Sequence, residues 1–147
     1  MAIKFGIIAG LATIATFLLA YTISIDAFLS QWIYWGTMLF YVIAMVLLAN
    51  KVVDQGAVHF REIVRPLFIC FLIANLIYYT FYFIMITYVN PDIYTEQVNR
   101  MSVGLQDLNI KEVDMSFQFG RYALSYFQAA IGGFMIASSI SYSKKQS

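Results

Sequence analysis

The sequence predicts an all-α, polytopic membrane protein, in which residues 1–147 form one domain. We expect a bundle of four transmembrane helices with an amphipathic segment between helices 3 and 4. Composition is the first reason, because 61% of the residues are hydrophobic and only 12% are charged, against about 25% charged in a soluble domain. Two further reasons are four long charge-free segments and an uneven distribution of the remaining charges.

The four charge-free segments have the lengths of membrane spans. They contain 21, 24, 26 and 22 residues, namely Phe5–Ile25, Ala27–Asn50, Pro66–Pro91 and Tyr122–Ser143. About 20 apolar residues cross the hydrocarbon core as a helix, and a helix satisfies its own backbone hydrogen bonds there. We therefore place the spans at about 4–25, 29–50, 66–90 and 119–143, with an outer loop at 91–118.

The ends of these segments refine the prediction. Pro66 is expected at the first position of the third helix, where its missing N–H costs nothing. The first segment is long and no clear cleavage site closes it, so we expect a retained helix and not a signal peptide.

The charged residues predict an orientation. Four spans place both termini on one side of the membrane, and that side holds six of the nine cations: Lys4, Lys51, Arg61, Arg65, Lys144 and Lys145. With Asp54 and Glu62 included, its net charge is +4, and the opposite side has −3. Because cytoplasmic loops are enriched in Lys and Arg, we expect both termini in the cytoplasm and the long loop outside.

Small residues recur every four positions along the fourth span and more weakly in the first. The residues are Ser125, Ala129, Gly133, Ala137, Ser141, Gly6 and Gly10. Such stripes allow two helices to approach closely. Two interpretations stay open: packing inside the bundle, or a docking face for a partner's helix or a second copy of the chain.

The outer loop contains an amphipathic helical pattern. Its apolar residues are spaced four, three, four and three apart: Tyr94, Val98, Met101, Leu105 and Leu108. This pattern indicates a helix. It is typical of a helix lying on the membrane surface over the bundle. The alternative is a lid or a surface for a partner outside the membrane.

Basic residues surround the connection between the second and third spans. Lys51, Arg61 and Arg65 could hold an anionic head group or a phosphate, although topology alone also explains their charge. His59 and Glu62 lie three residues apart, as in half of a metal or acid–base site, but nothing nearby in the sequence completes one.

The third span is rich in aromatic residues and contains one amide. Tyr78, Tyr79, Phe81, Tyr82 and Phe83 could form a stacked platform for a ligand, or simply pack against neighbouring helices and lipid. Asn75 is expected to form a hydrogen bond across helices.

Several kinds of chemistry leave no signature in the sequence. Apart from Lys4 and Arg121 at their ends, the spans contain no Asp, Glu, Lys, Arg or His, which proton and ion pathways usually need at membrane depth. The single cysteine, Cys70, can form no internal disulfide. We find no catalytic set, cofactor motif, metal cluster or nucleic-acid signature, and we expect a protein that is not an enzyme.

Short motifs resemble one bacterial family, the domain of unknown function 4199, whose members are small inner-membrane proteins of four predicted helices. The motifs are Phe5-Gly6 through Gly10, Gly56 followed by His59-Phe60-Arg61-Glu62, and Asn90-Pro91-Asp92. The resemblance implies a Gram-negative inner membrane and assigns no functional residue. It also implies that such genes can lie beside genes for glycosyltransferases that act on lipid carriers, which suggests one of these enzymes as a partner.

The sequence leaves three functions open. The first is an accessory or scaffold subunit that docks a partner membrane protein, such as that glycosyltransferase, through the small-residue stripe of the fourth span. The second is a self-associating bundle that binds lipid or a small apolar ligand between its helices. The third is a subunit of a transporter or channel.

Overall fold

The computed structural model describes residues 1–107 and 118–146, and all regular structure in those residues is helical. The helices are α1 (Ala2–Ile23), α2 (Ile25–Phe28), α3 (Gln31–Asp54), α4 (Phe60–Ile84), α5 (Asp92–Asp107) and α6 (Gln118–Gln146). A π-helical turn, Met85–Val89, continues α4. Within α1, α3, α4 with its π-helical turn, and α6 lie four segments long and apolar enough to cross a membrane, so the predicted fold class is confirmed.

The four long helices alternate in direction. Both α3 and α4 contact the other three long helices, and the contacts of α4 with α1 and α6 are the more extensive. We call the end of the bundle that holds Ser24–Ser30 and Asn90 the loop end. The opposite end, which holds both termini and the connection between α3 and α4, is the termini end.

Two glycines let α1 approach α4 closely. A Cβ atom at Gly6 would lie 2.7 Å from the backbone oxygen of Cys70, and one at Gly10 would lie 3.0 Å from Cβ of Ile77. Both glycines are buried. The weaker small-residue stripe therefore serves packing between α1 and α4.

The buried side chains form two clusters along the bundle. The cluster nearer the termini end centres on Met45, Leu48 and Leu67, each 0% exposed. The cluster at the loop end is largely aromatic and includes Phe17 and Phe28. Aliphatic packing thus holds the termini end together, whereas rings dominate the loop end.

Helix ends differ from the sequence expectation at Pro66. The third long helix begins at Phe60, so Pro66 lies inside it and not at its first position. Glu62 explains the earlier start, because its Oε2 accepts hydrogen bonds from the backbone N–H groups of Val58 and His59, each at 3.2 Å. A side chain that satisfies exposed N–H groups stabilises a helix N-terminus.

Short elements shape the loop end. Ser24 ends α1, and its Oγ accepts a hydrogen bond at 3.0 Å from the backbone N–H of Ala27, which caps α2. After the π-helical turn, the amide of Asn90 donates to the hydroxyl of Tyr21 at 3.1 Å. These contacts attach the start of α5 to the end of α1.

Candidate ligand-binding site at the loop end

A cavity of about 360 Å³ opens at the loop end of the bundle. All six α-helices or their adjoining turns contribute to it. Its lining consists of Phe17, Phe28, Leu29, Ser30, Gln31, Tyr34, Tyr78, Tyr79, Tyr82, Gln97, Arg100, Arg121, Tyr122 and Ser125. Small-molecule sites have volumes of about 300–1,000 Å³ and combine apolar walls with a few polar groups, and this cavity fits that description.

Buried aromatic rings of α1, α2 and α4 form one wall of the cavity. The rings of Phe28 and Tyr82 stack with their centroids 5.5 Å apart, and Phe17 lies edge-on to Phe28 at the same distance. The ring of Tyr78 lies 5.2 Å from that of Phe17. Ring pairs at these separations stabilise one another by about 0.5–1.5 kcal/mol each, so this wall is preformed.

Polar groups from α5 and α6 form the other side. Nε of Arg100 donates to Glu96 at 3.0 Å, and its guanidinium also pairs with Asp26 of α2. The hydroxyl of Tyr122 donates to Gln97 at 3.5 Å. The pair between Arg100 and Asp26 joins α5 to α2, next to the cavity.

Part of this site was visible in the sequence. Of the aromatic residues of the third span, Tyr78, Tyr79 and Tyr82 line the cavity, whereas Phe81 packs against the loop-end cluster. The ring of Phe83 lies 6.0 Å from that of Tyr122. The remaining lining residues were missed because they come from separate segments of the chain.

The small-residue stripe of α6 faces α4. Gly133, Ala137 and Ser141 are buried, while Ser125 and Ala129 are half-buried. A Cβ atom at Gly133 would overlap the ring of Phe71 on α4. Of the two interpretations, internal packing matches the position of these residues, and Ser125 also lines the cavity.

The amphipathic pattern of the outer loop falls on α5. Ile93 is fully buried in the loop-end cluster, and Tyr94 and Val98 are half-buried. The side chains of Met101 and Leu105, and the whole of Leu108, lie outside the described part of the structure. The side of α5 that meets the cavity carries Gln97 and Arg100, which the predicted apolar face did not include.

The basic residues of the inner connection are exposed at the termini end. Arg61 and Arg65 line an open depression of about 370 Å³ together with His59 and Glu62. Lys51 is not part of that lining, and its Nζ lies 5.3 Å from the centroid of the Phe5 ring. The structure thus brings Arg61 and Arg65 together on one shallow surface, and contact with a head group stays a prediction.

The amide of Asn75 is a buried polar group. Asn75 is 1% exposed, and its Nδ2 has no hydrogen-bond partner in the part of the chain that the structure describes. Among those residues, the expected cross-helix bond is therefore not made by that nitrogen. Cys70 is a buried free thiol.

One comparison with known proteins gives a match. A family model described as a protein of unknown function (DUF4199) matches residues 4–143, nearly the whole chain. No curated protein and no solved structure matches it. The matched range takes in most of all four long helices and the cavity, as the short motifs of the sequence had indicated. The chain therefore belongs to the DUF4199 family, whose function is unknown.

Proposed function

We propose that the protein is a non-enzymatic integral membrane protein that binds a lipid-like amphiphile in the loop-end cavity. The observation that carries this proposal is the division of the cavity surface. Phe17 and Phe28, which are 2% and 1% exposed, form an apolar wall, whereas Gln97, Arg100 and Arg121 form a polar one. An amphiphile has the same two parts, a chain and a head group.

The lining argues for binding rather than for catalysis. Its polar residues in the described part of the chain are Ser, Gln, Tyr and Arg, with neither a histidine nor a carboxylate among them. General acid–base catalysis most often uses one of those two groups. The described residues also contain no group of three His, Cys, Asp or Glu side chains able to hold a metal ion.

The proposal includes an orientation in a bacterial inner membrane. The net charge of +4 on the side of the termini supports cytoplasmic termini. The cavity then opens toward the outer leaflet, within reach of lipid. A reporter fused after Ser147 is expected to be active in the cytoplasm, and activity only outside it would reverse the orientation.

A bulky substitution that fills the cavity tests whether lipid binds there. Ser125 lines the cavity, and Ser139 lies on the same helix but is exposed. In native mass spectrometry of the purified full-length chain, we expect wild type and Ser139→Phe to retain lipid adducts and Ser125→Phe to lose most of them. Equal adducts on a folded Ser125→Phe would show that lipid does not occupy the cavity.

A second candidate is an accessory subunit that docks a partner membrane protein, such as a glycosyltransferase acting on a lipid carrier. One observation favours it: a Cβ atom at Gly132, on the outward side of α6, would meet no other atom within 4 Å. A partner helix could approach closely there. The stripe that contains Gly133 is unsuited to this role because α4 already covers it.

Docking has its own matched test. Gly36 of α3 is equally open. In a pulldown from mild detergent, Gly132→Leu should lose a stoichiometric partner that wild type and Gly36→Leu retain. Recovery of the same partner with all three proteins would exclude this face of α6, and recovery of only the chain itself would favour self-association.

A further inference from the structure

Two of the described residues that line the loop-end cavity are charged, and both are cations. They are Arg100 of α5 and Arg121 of α6, and no carboxylate is among the described lining residues. The other described lining residues are uncharged. A neutral ligand would not require two guanidinium groups at the same cavity, and a cationic ligand would be repelled by them. The described lining therefore favours an anion.

The carboxylates that meet Arg100 approach from outside the cavity. Asp26 and Glu96 line a separate open depression of about 410 Å³, together with Ile25 and Asp92. Arg100 lies between that depression and the cavity, and its side chain is 42% exposed, whereas that of Asp26 is 80% exposed. Ion pairs this exposed are weak, so an anion inside the cavity can compete for the guanidinium of Arg100.

We propose that the bound amphiphile carries a phosphate head group that interacts with both Arg100 and Arg121, while its hydrocarbon chain lies against the ring wall of Phe17 and Phe28. This inference rests on the function proposed above. Guanidinium groups bind phosphate with paired, charge-assisted hydrogen bonds. A terminal phosphate presents three oxygens, enough for two arginines on different helices, whereas a carboxylate presents two.

The phosphate can belong to a lipid or be free in solution. The wall of aromatic rings favours the lipid, because the rings can contact a hydrocarbon chain. Inorganic phosphate would interact only with the polar side of the cavity. A chain adds burial of apolar surface, about 0.8 kcal/mol per CH₂ group. The proposal is therefore a phosphorylated amphiphile, and inorganic phosphate serves as the comparison.

The test compares two probes with the same chain and different head groups. The full-length protein in an uncharged detergent is titrated with dodecyl phosphate and with dodecyl glucoside, and bound probe is measured by native mass spectrometry. We expect wild type to bind dodecyl phosphate at least about tenfold more tightly, the factor for one charge-assisted interaction. Inorganic phosphate should compete only at far higher concentration than dodecyl phosphate.

Variants identify the residues responsible. Arg121→Gln should weaken the binding of dodecyl phosphate about tenfold and leave the binding of dodecyl glucoside unchanged. Arg121→Lys should retain part of the preference for dodecyl phosphate. The control, Arg61→Gln at the termini end, should bind both probes as wild type does. The Arg100→Gln variant should act in the same direction as Arg121→Gln.

The outcomes separate this inference from the function on which it rests. Equal wild-type affinity for the two probes, or equal weakening of both by Arg121→Gln, would overturn the phosphate head group while leaving an amphiphile site. If inorganic phosphate displaced dodecyl phosphate at an equal concentration, the inference that the ligand is an amphiphile would be wrong. If neither probe bound wild type above the level seen with Ser125→Phe, the proposed function itself would fail.

Discussion

Gly133 of α6 lies against the ring of Phe71 on α4, with no room between them for a β-carbon. Any larger residue at position 133 must move the Phe71 ring, which is 2% exposed, or separate the two helices. We expect Gly133→Leu to lower the free energy of unfolding by about 1–3 kcal/mol, the usual cost of overpacking. Unfolding in mixed detergent micelles would measure it, and Gly132→Leu, where space is open, is the matched control.

Gly6, Gly10 and Gly36 should respond differently to the same substitution. Alanine inside a helix gains about 0.5–1 kcal/mol over glycine. At Gly36 there is open space, so Gly36→Ala should stabilise, whereas Gly6→Ala meets the immovable backbone oxygen of Cys70 and should destabilise. Gly10→Ala meets only Ile77 side-chain atoms at 3.0–3.2 Å and should be nearly neutral. Thermal unfolding of the three variants in detergent tests this order, and equal shifts would contradict it.

The pair between Arg100 and Asp26 should hold α5 in place more than it stabilises the bundle. Because both side chains are substantially exposed, we expect a coupling energy of about 0.2–1 kcal/mol between Asp26→Asn and Arg100→Gln. Salt should reduce it. Amide hydrogen exchange in α5 should rise in Asp26→Asn, and Asp54→Asn at the termini end should leave it unchanged. Unchanged exchange in Asp26→Asn would mean that the pair does not restrain α5.

Glu62 should govern the first turn of α4. Its carboxylate accepts from two backbone N–H groups, and a glutamine can still accept through its amide oxygen. Hydrogen exchange at Val58 and His59 should therefore accelerate in Glu62→Ala and remain slow in Glu62→Gln. Equal exchange in the two variants would assign the cap to another group.

Asn75 should be replaceable by leucine. Because its buried Nδ2 has no partner in the described residues, it incurs a desolvation cost that leucine of similar size avoids. We expect Asn75→Leu to be neutral or to raise the free energy of unfolding by about 1 kcal/mol, and Asn75→Ala to lower it by leaving a void. A marked loss in Asn75→Leu would reveal a polar partner, such as a buried water molecule.

The positions of the long helices could be predicted because membrane spans have a local signature. The length of a charge-free segment is enough to locate each span, and no knowledge of neighbouring helices is needed. Pro66 is the exception. The preference of proline for the first position of a helix predicted that α4 begins there, but α4 begins at Phe60, where Glu62 caps its N-terminus. Small residues such as Gly133 were recognisable as a packing surface, but their partner depends on which helices become neighbours.

The cavity could be predicted only in part. Tyr78, Tyr79 and Tyr82 share one span, so their sequence spacing brings them together. Phe28 comes from a four-residue helix and Arg121 from another span, and only the packed bundle brings them to the same cavity. The face of α5 was predicted from apolar spacing, which cannot reveal that Gln97 and Arg100 meet a polar opening.

The close contact between α1 and α4 also has a consequence for biogenesis. Membrane helices insert first and associate afterwards, and ribosomes deliver them in chain order. The first two spans contact each other, but the glycines of α1 lie against α4, which has not yet been translated when those spans enter the bilayer. The first two spans must therefore remain in the bilayer as an incompletely packed pair until the third span is inserted. A chain truncated before Phe60 should stay in that state and be degraded by membrane proteases.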